Sequence, residues 1–307
     1  VEKVESLLEK ESIEVKVVMP SRNTPEPTTD IPEVLRDVAK EMGTDLVIGM
    51  GGGSVLDVAK MTAALINNPL AVREYFGKEK VPNKGLPTIL IPSTSGTGSE
   101  VTKHAIFLDE KANVKKAVAS SNLLPTVAII DPLTTITCPQ KVTADSGFDA
   151  FLHAAEPFIS KSANPLTDVI ALEAISMITK WIGPAYADGE NTEARYYMSL
   201  GSLLAGLVLN NSGTSLVHAL AYPIGGEYHV PHGPSLTCLV NSCFDYIMVA
   251  KQERFVQIAK AMGENVEGLS NREGAKLALD AINEVLLRLN LPRSLTDLNI
   301  TDKSKVD

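Results

Sequence analysis

The sequence predicts two joined domains, an N-terminal α/β domain built on parallel strands and an all-α C-terminal domain. Three observations carry that prediction. Short β-branched runs alternate with helical stretches over roughly the first 135 residues, the pattern of strands joined by crossover helices. A glycine-rich stretch, "GMGGGSVLDVAK" (49–60), stands where an apolar run hands over to a helical one. From about Thr137 the β-branched runs disappear and long amphipathic segments replace them.

In chain order, "VEKVESLLEKES" reads as helix without a start signal, so the chain is expected to open in mid-helix and the native polypeptide to begin earlier. Strands are predicted at 13–19, 44–50, 87–93 and 126–132. Between the first two, "IPEVLRDVAKEMG" puts Val34, Leu35, Val38 and Met42 on one helical face and stops at Gly43, which makes a βαβ unit. Beyond the boundary, "PLTDVIALEAISMITKWI", "EARYYMSLGSLLAGLVLN", "KQERFVQIAKAMG" and "REGAKLALDAINEVLLRLN" predict helices. The boundary is placed within 136–142, which gives domains of 1–138 and 139–307. No internal repeat or low-complexity segment interrupts them.

Composition narrows the partners. The hydrophobic share of 44% is dispersed in runs too short to span a bilayer, which argues against a membrane role. A net charge of -9 without a basic tract argues against a nucleic-acid groove, since phosphate neutralisation needs clustered Lys and Arg. A small molecule is the expected partner. The three cysteines form no C-x-x-C pair, suggesting neither a disulfide framework nor a thiolate zinc site, and the sequence shows no basic-then-apolar leader pattern. A reducing cytoplasm and a homo-oligomer, a dimer, are expected.

Two loops suggest a dinucleotide. In the first, backbone N–H groups of Gly52, Gly53 and Ser54 would face the space above a helix N-terminus, where free donors and the helix dipole favour phosphate. It departs from G-x-G-x-x-G, with Ser54 at the last glycine's place. In the second, "PSTSGTGSE" (92–100) gathers Ser93, Thr94, Ser95, Thr97 and Ser99 at the carboxyl end of a strand. Ligands of open α/β sheets bind at such ends, so the two loops would bracket one dinucleotide. Lys115 would reach a ribose or phosphate, and His104 would line the same site.

The second domain suggests a metal. In "GFDAFLHAAEPF", Asp149 and His153 stand four apart, which on a helix aims a carboxylate and an imidazole at one point. "VHALAYPIGGEYHVPHG" (217–233) holds three of the chain's five histidines, His218, His229 and His232. His218 is expected on a helix, "PIGGEY" in a turn, and Pro231 at the start of the next helix. One Asp with three His suits Fe2+ or Zn2+, and two of those three histidines are expected as ligands. His229, in a polar turn, is the expected bystander, although it could reach into a cleft.

On "GGGSVLDVAK", "PSTSGTGSEVT", "AIIDPLTTITCP", "GFDAFLHAAEPF" and "HALAYPIGGEYHVPHG", taken in order, the chain resembles the iron-containing (group III) alcohol dehydrogenases, whose dehydroquinate synthase-like fold is shared with glycerol dehydrogenase. The resemblance implies an N-terminal dinucleotide-binding domain, a helical metal- and substrate-binding domain, and NAD or NADP with Fe2+ or Zn2+ in the cleft between them. It implies metal ligation by Asp149, His153, His218 and His232, and cofactor contacts from Gly52, Gly53, Ser54, Asp57, Ser93, Thr94, Thr97, Lys115 and Thr135. The implied activity is oxidation of small alcohols or reduction of aldehydes, with a dehydroquinate synthase-type lyase as the alternative. Tyr222 stands where many members carry a second histidine; Tyr222 or His229 is then the expected carrier of the proton. The family likeness also implies further segments at both ends.

Overall fold

The computed structural model describes residues 1–19, 27–112 and 114–301. Its N-terminal part mixes helices and strands. Helix α1 (Glu2–Lys10) is followed by α2 (Asp30–Met42), which ends at Gly43 in the left-handed conformation (φ 68°) as the sequence predicts. Then come β1 (Val47–Gly51), α3 (Gly53–Leu65), β2 (Gly77–Lys78), β3 (Thr88–Pro92), β4 (His104–Asp109), β5 (Val114–Ala119) and β6 (Val127–Ala128). The C-terminal part is helical: α4 (Gln140–Ile159), α5 (Pro165–Ala187), α6 (Thr192–Ser212), α7 (Leu216–Tyr228), α8 (His232–Ala261) and α9 (Asn271–Arg288). Among the described residues no single helix is long and apolar enough to cross a membrane.

The strands form two small sheets. β1, β3 and β6 run parallel in that spatial order, with Val47 beside Thr88 and Ile89 beside Val127. The second sheet, in the order β2, β5, β4, pairs β4 and β5 antiparallel from His104–Ala119 to Asp109–Val114. Sequence reasoning did not foresee this hairpin. Two adjacent lysines, Lys115 and Lys116, interrupt its apolar alternation, yet Ala105 and Phe107 on β4 and Val118 on β5 are fully buried.

Two further expectations are corrected. Residues 13–19 form no strand, and Val17, Val18 and Met19 are exposed; no described strand lies beside them to take up their backbone hydrogen bonds. "PIGGEY" is not a turn but the second half of α7, with Pro223 inside the helix and Ile224, Gly225 and Gly226 buried. Packing against α8 outweighs the missing donor at Pro223 and the glycines' preference for freedom. The helix stops instead at His229, which takes the left-handed conformation (φ 52°), and α8 begins at His232 with Pro231 as its N-cap.

The buried apolar side chains separate into clusters. One lies wholly among the C-terminal helices and includes Phe148, Phe151, Phe158, Ile178, Met198, Phe244, Phe255 and Ile282. Another, with Met61, Leu65, Tyr75, Phe107 and Val118, lies in the α/β part, and a small third joins Leu56, Ala59 and Leu90 behind β1. The two parts meet where α7 packs on β5 and where α6 packs on the polar segment after β3 and on residues 132–135. Gly98 (φ 61°) lies against Gly206 of α6 so closely that a Cβ on Gly98 would stand 2.5 Å from the Gly206 Cα. Only glycine at both positions allows that approach.

Candidate active site

The glycine loop folds as the sequence predicts. β1 ends at Gly51, Gly52 is the N-cap of α3 in an extended conformation, and Gly53 opens the helix. A side chain at Gly53 would collide with Thr97, 2.5 Å from its methyl carbon, so the two predicted loops interlock. Ser93 donates its N–H to the Gly51 carbonyl at 2.9 Å and ties the second loop to the end of β1.

These loops form one wall of a cleft of about 620 Å³. Of the predicted cofactor residues, Gly53, Ser54, Asp57, Thr97 and Lys115 line it, as does His104. Gly52, Ser93, Thr94 and Thr135 do not. Thr94 backs onto Gly52, and Thr135 is buried with its hydroxyl donated to the Pro132 carbonyl at 2.7 Å. The hydroxyl-rich loop is thus only partly a ligand rim. Ser95 Oγ pairs with Ser199 Oγ of α6 at 3.1 Å, and Ser99 donates to Asp57 Oδ1 at 2.5 Å.

Asp57 is bound up inside the protein. Its second oxygen accepts the Ile106 N–H at 2.9 Å, and Lys60, one turn further along α3, stands 3.2 Å from Oδ1. Lys60 has a fully buried side chain and also donates to the carbonyls of Ser99 (3.0 Å) and His104. Burial pulls its pKa down and Asp57 opposes the shift. Asp57 and Lys60 therefore fasten the strand β4 and the segment before it to α3. Sequence reasoning passed over Lys60, although a lysine in a run as apolar as "VLDVAKMTAAL" was a signal.

The floor of the cleft is the metal constellation. α4 carries Asp149 and His153 one turn apart, α7 brings His218, and the first residue of α8 is His232. The Nε2 atoms of His218, His153 and His232 lie 3.3, 3.4 and 3.8 Å from Asp149 Oδ1. Asp149, His153 and His218 are buried, and their donor atoms fall within 4.8 Å of one another; His232 stands a little further out. The His153 and His218 rings stack at 4.9 Å with Nε2 atoms 3.1 Å apart. Each of these two histidines is anchored from behind: His153 Nδ1 donates to the Gly96 carbonyl at 3.3 Å and His218 Nδ1 to Glu156 Oε2 at 2.5 Å.

Electrostatics separates the three imidazoles. Burial lowers the pKa of His153 despite Asp149, and lowers that of His232 to about 3, so both are neutral with lone pairs available. Burial also disfavours the charged form of His218, but Asp149 and Glu156 together outweigh it and raise its pKa to about 9. Burial likewise works against the Asp149 carboxylate, yet the surrounding histidines hold its pKa well below the usual range.

A metal ion fits this arrangement. Asp149 Oδ1 is buried without a hydrogen-bond partner, a costly state for a carboxylate oxygen, while three imidazole nitrogens converge on it without hydrogen-bond alignment. One carboxylate oxygen with imidazole nitrogens is a donor set suited to a first-row divalent cation. Tyr222 lines the cleft beside it, its ring roughly parallel to His232 at 6.1 Å, and burial raises its phenol pKa. His229 does not line the cleft; it is exposed at the end of α7. The structure brings the four predicted ligands and Tyr222 together and leaves His229 outside.

Glu156 was also missed. Three residues after His153 on α4, it is completely buried behind His218. Helical spacing from Asp149 and His153 would have placed it on their face.

Comparison with known proteins follows the same division. The family described as iron-containing alcohol dehydrogenase matches residues 1–132, and the Fe-containing alcohol dehydrogenase family, C-terminal, matches 143–306. The chain is 38% identical over 307 residues to long-chain-alcohol dehydrogenase 1 of Geobacillus thermodenitrificans, covering 99% of this chain and 77% of that one. Its structure superposes on a crystal structure of 1,3-propanediol oxidoreductase with a TM-score of 0.92 and 36% identity, covering 98% of this chain and 78% of the other. Sulfoacetaldehyde reductase from Bifidobacterium kashiwanohense, solved in complex with NAD+, superposes with a TM-score of 0.87 at 29% identity, covering 98% and 78%.

Proposed function

Because this chain belongs to the iron-containing alcohol dehydrogenase family, we propose that Asp149, His153, His218 and His232 hold its divalent ion and that the adjoining cleft takes the nicotinamide cofactor and a small alcohol or aldehyde. The protein is a metal-dependent alcohol oxidoreductase, an alcohol dehydrogenase in one direction and an aldehyde reductase in the other. The observation that carries the ligand assignment is the unpartnered, buried Asp149 Oδ1 facing three Nε2 atoms.

When bound, Fe2+ or Zn2+ supplies Lewis acidity at the substrate oxygen and the nicotinamide carries the hydride. The chain's own residues do the positioning. N–H groups of Gly53 and Ser54 at the positive end of α3 bind the pyrophosphate, with Thr97 and Lys115 along the wall toward the metal centre. Tyr222 is protonated near neutrality, as a phenol ordinarily is, and burial raises its pKa further, so it holds a proton at its phenol oxygen and can accept one hydrogen bond while donating another. We assign it a hydrogen bond to the substrate hydroxyl, from its place in the cleft beside His232. His229, exposed and outside the cleft, has no part in this reading.

We also propose a homodimer in the cytoplasm, a location supported by three free cysteines, Cys138, Cys238 and Cys243. The test of the reaction is NADH and NADPH absorbance with short alcohols and aldehydes, after chelation and anaerobic return of Fe2+ or Zn2+. Turnover should return with the metal, and Asp149→Asn or His218→Ala should lose the metal while still binding nucleotide. Turnover unaffected by chelation, or metal retained by both variants, would overturn the assignment.

A further inference from the structure

Glu156 touches none of the space a substrate or cofactor would occupy, yet it is a fully buried carboxylate with every contact in one small region. Its Oε1 accepts the Ser215 hydroxyl at 2.8 Å and the Val217 N–H at 2.6 Å. Its Oε2 accepts His218 Nδ1 at 2.5 Å. Ser215 is the N-cap of α7 but caps nothing with its own side chain, and Val217 is the second helical residue. A carboxylate from another helix therefore does the capping, at the positive end of the α7 dipole. The same carboxylate fixes the ring of the next residue.

We propose that Glu156 is the positioning residue of the metal centre: by capping α7 and accepting His218 Nδ1–H at once, it holds a ring proton on Nδ1 and turns Nε2 toward the cation that Asp149 and His153 would also hold, so that any proton the ion displaces is the one on Nε2. This rests on the ligand assignment proposed above. The geometry supports it from both sides. α4 supplies two donors facing the ion, Asp149 and His153, and from the same face it supplies the clamp on the third. One rigid helix thus sets the mutual placement of donors that come from different parts of the chain. A ring nitrogen facing a carboxylate must carry the hydrogen, because an ionised carboxylate only accepts, and this selects the tautomer that leaves Nε2 free.

The test is Glu156→Gln, which has nearly the same size and shape. With the amide oxygen toward Val217 and Ser215, the amide NH2 faces His218 Nδ1 and forces the ring proton onto Nε2. With the amide turned around, the NH2 opposes the Val217 N–H. Neither orientation satisfies both partners. Co2+ affinity, measured by chelator competition and by the visible absorption of the bound ion, should fall by about 10- to 100-fold, with far-UV circular dichroism of the metal-free protein unchanged. A fall of less than about threefold would overturn the proposal, as would full affinity with an unaltered Co2+ spectrum. Should Glu156→Gln fail to fold, Ser215→Ala together with Glu156→Asp provides a second reading: removing only the Ser215 contact should leave Co2+ affinity near wild type, whereas shortening the clamp should weaken it at least tenfold, and equal affinities would overturn the proposal. His218→Ala run alongside separates the two readings. If it keeps wild-type Co2+ affinity, the ligand assignment fails; if it loses the ion while Glu156→Gln does not, only the role of Glu156 fails.

Discussion

Lys60→Met should destabilise the fold through the loss of one buried charge. Methionine matches the lysine stem as far as Cε and lacks only the ammonium, so packing of the stem in α3 is kept. What is lost is the cation 3.2 Å from Asp57 and the donor to the carbonyls of Ser99 and His104. Asp57 keeps its hydrogen bonds from Ser99 and Ile106 but becomes a buried charge without a counterion. Breaking a buried pair from one side costs about 3 to 5 kcal/mol. Burial disfavours Lys60 itself as a cation, and removing that buried charge puts the expected loss at the lower end, about 3 kcal/mol. For a chain of 307 residues the melting temperature should fall by roughly 5 °C. The assay is thermal and urea unfolding of the metal-free protein, with NADH fluorescence titration beside it, since the fastened segment carries His104 into the cleft. Asp57→Asn/Lys60→Met, which removes both charges, should lose less than the sum of the single variants. A Lys60→Met protein within about 1 kcal/mol of wild type, or strict additivity in the double variant, would refute the buried-pair account.

Other consequences are more local. Gly206→Ala should destabilise by about 1 to 3 kcal/mol and weaken nucleotide binding, because the new Cβ would stand 2.8 Å from the Gly98 Cα, and unchanged urea midpoints would show that α6 can shift without cost. Asp109, held by Lys116 and Arg73, has its pKa lowered to about 2. A lowered carboxylate pKa stabilises the fold above its unfolded value of 3.8 and stops doing so as pH falls. The stability advantage of wild type over Asp109→Asn should therefore be full above about pH 4 and shrink toward pH 2; an advantage independent of pH would refute it. Cys238 and Cys243 are buried with pKa values raised to about 11, chiefly by burial, so a disulfide reagent at pH 8 should label Cys138 first in the native protein and all three only after unfolding. Mass spectrometry of the labelled peptides reads the order.

What the sequence alone determined are the features whose physics is local. The glycine loop needs only a strand end, a helix start and residues without Cβ atoms, all within 49–60, and it folded as read. Asp149 and His153 share a face because a helix repeats every 3.6 residues, whatever it packs against. The amphipathic runs of the second half became helices over nearly the stretches where their periodicity appears. Tertiary structure decided everything that depends on two distant segments meeting. The hydroxyls of Ser95 and Ser99 look like a ligand rim in sequence, but α6 and Asp57 take them up. "PIGGEY" reads as a turn by its own preferences and is helix because α8 packs against it. His229, the expected bystander, and His232, an expected ligand, stand three residues apart; one is exposed past the end of α7, where it takes the left-handed conformation, and the other opens α8 and approaches Asp149. Glu156 and Lys60 were invisible for the same reason. A carboxylate or ammonium states its chemistry in the sequence, but its role is set by partners 62 and 44 residues away, His218 and the His104 carbonyl, that only the folded chain brings within hydrogen-bonding distance.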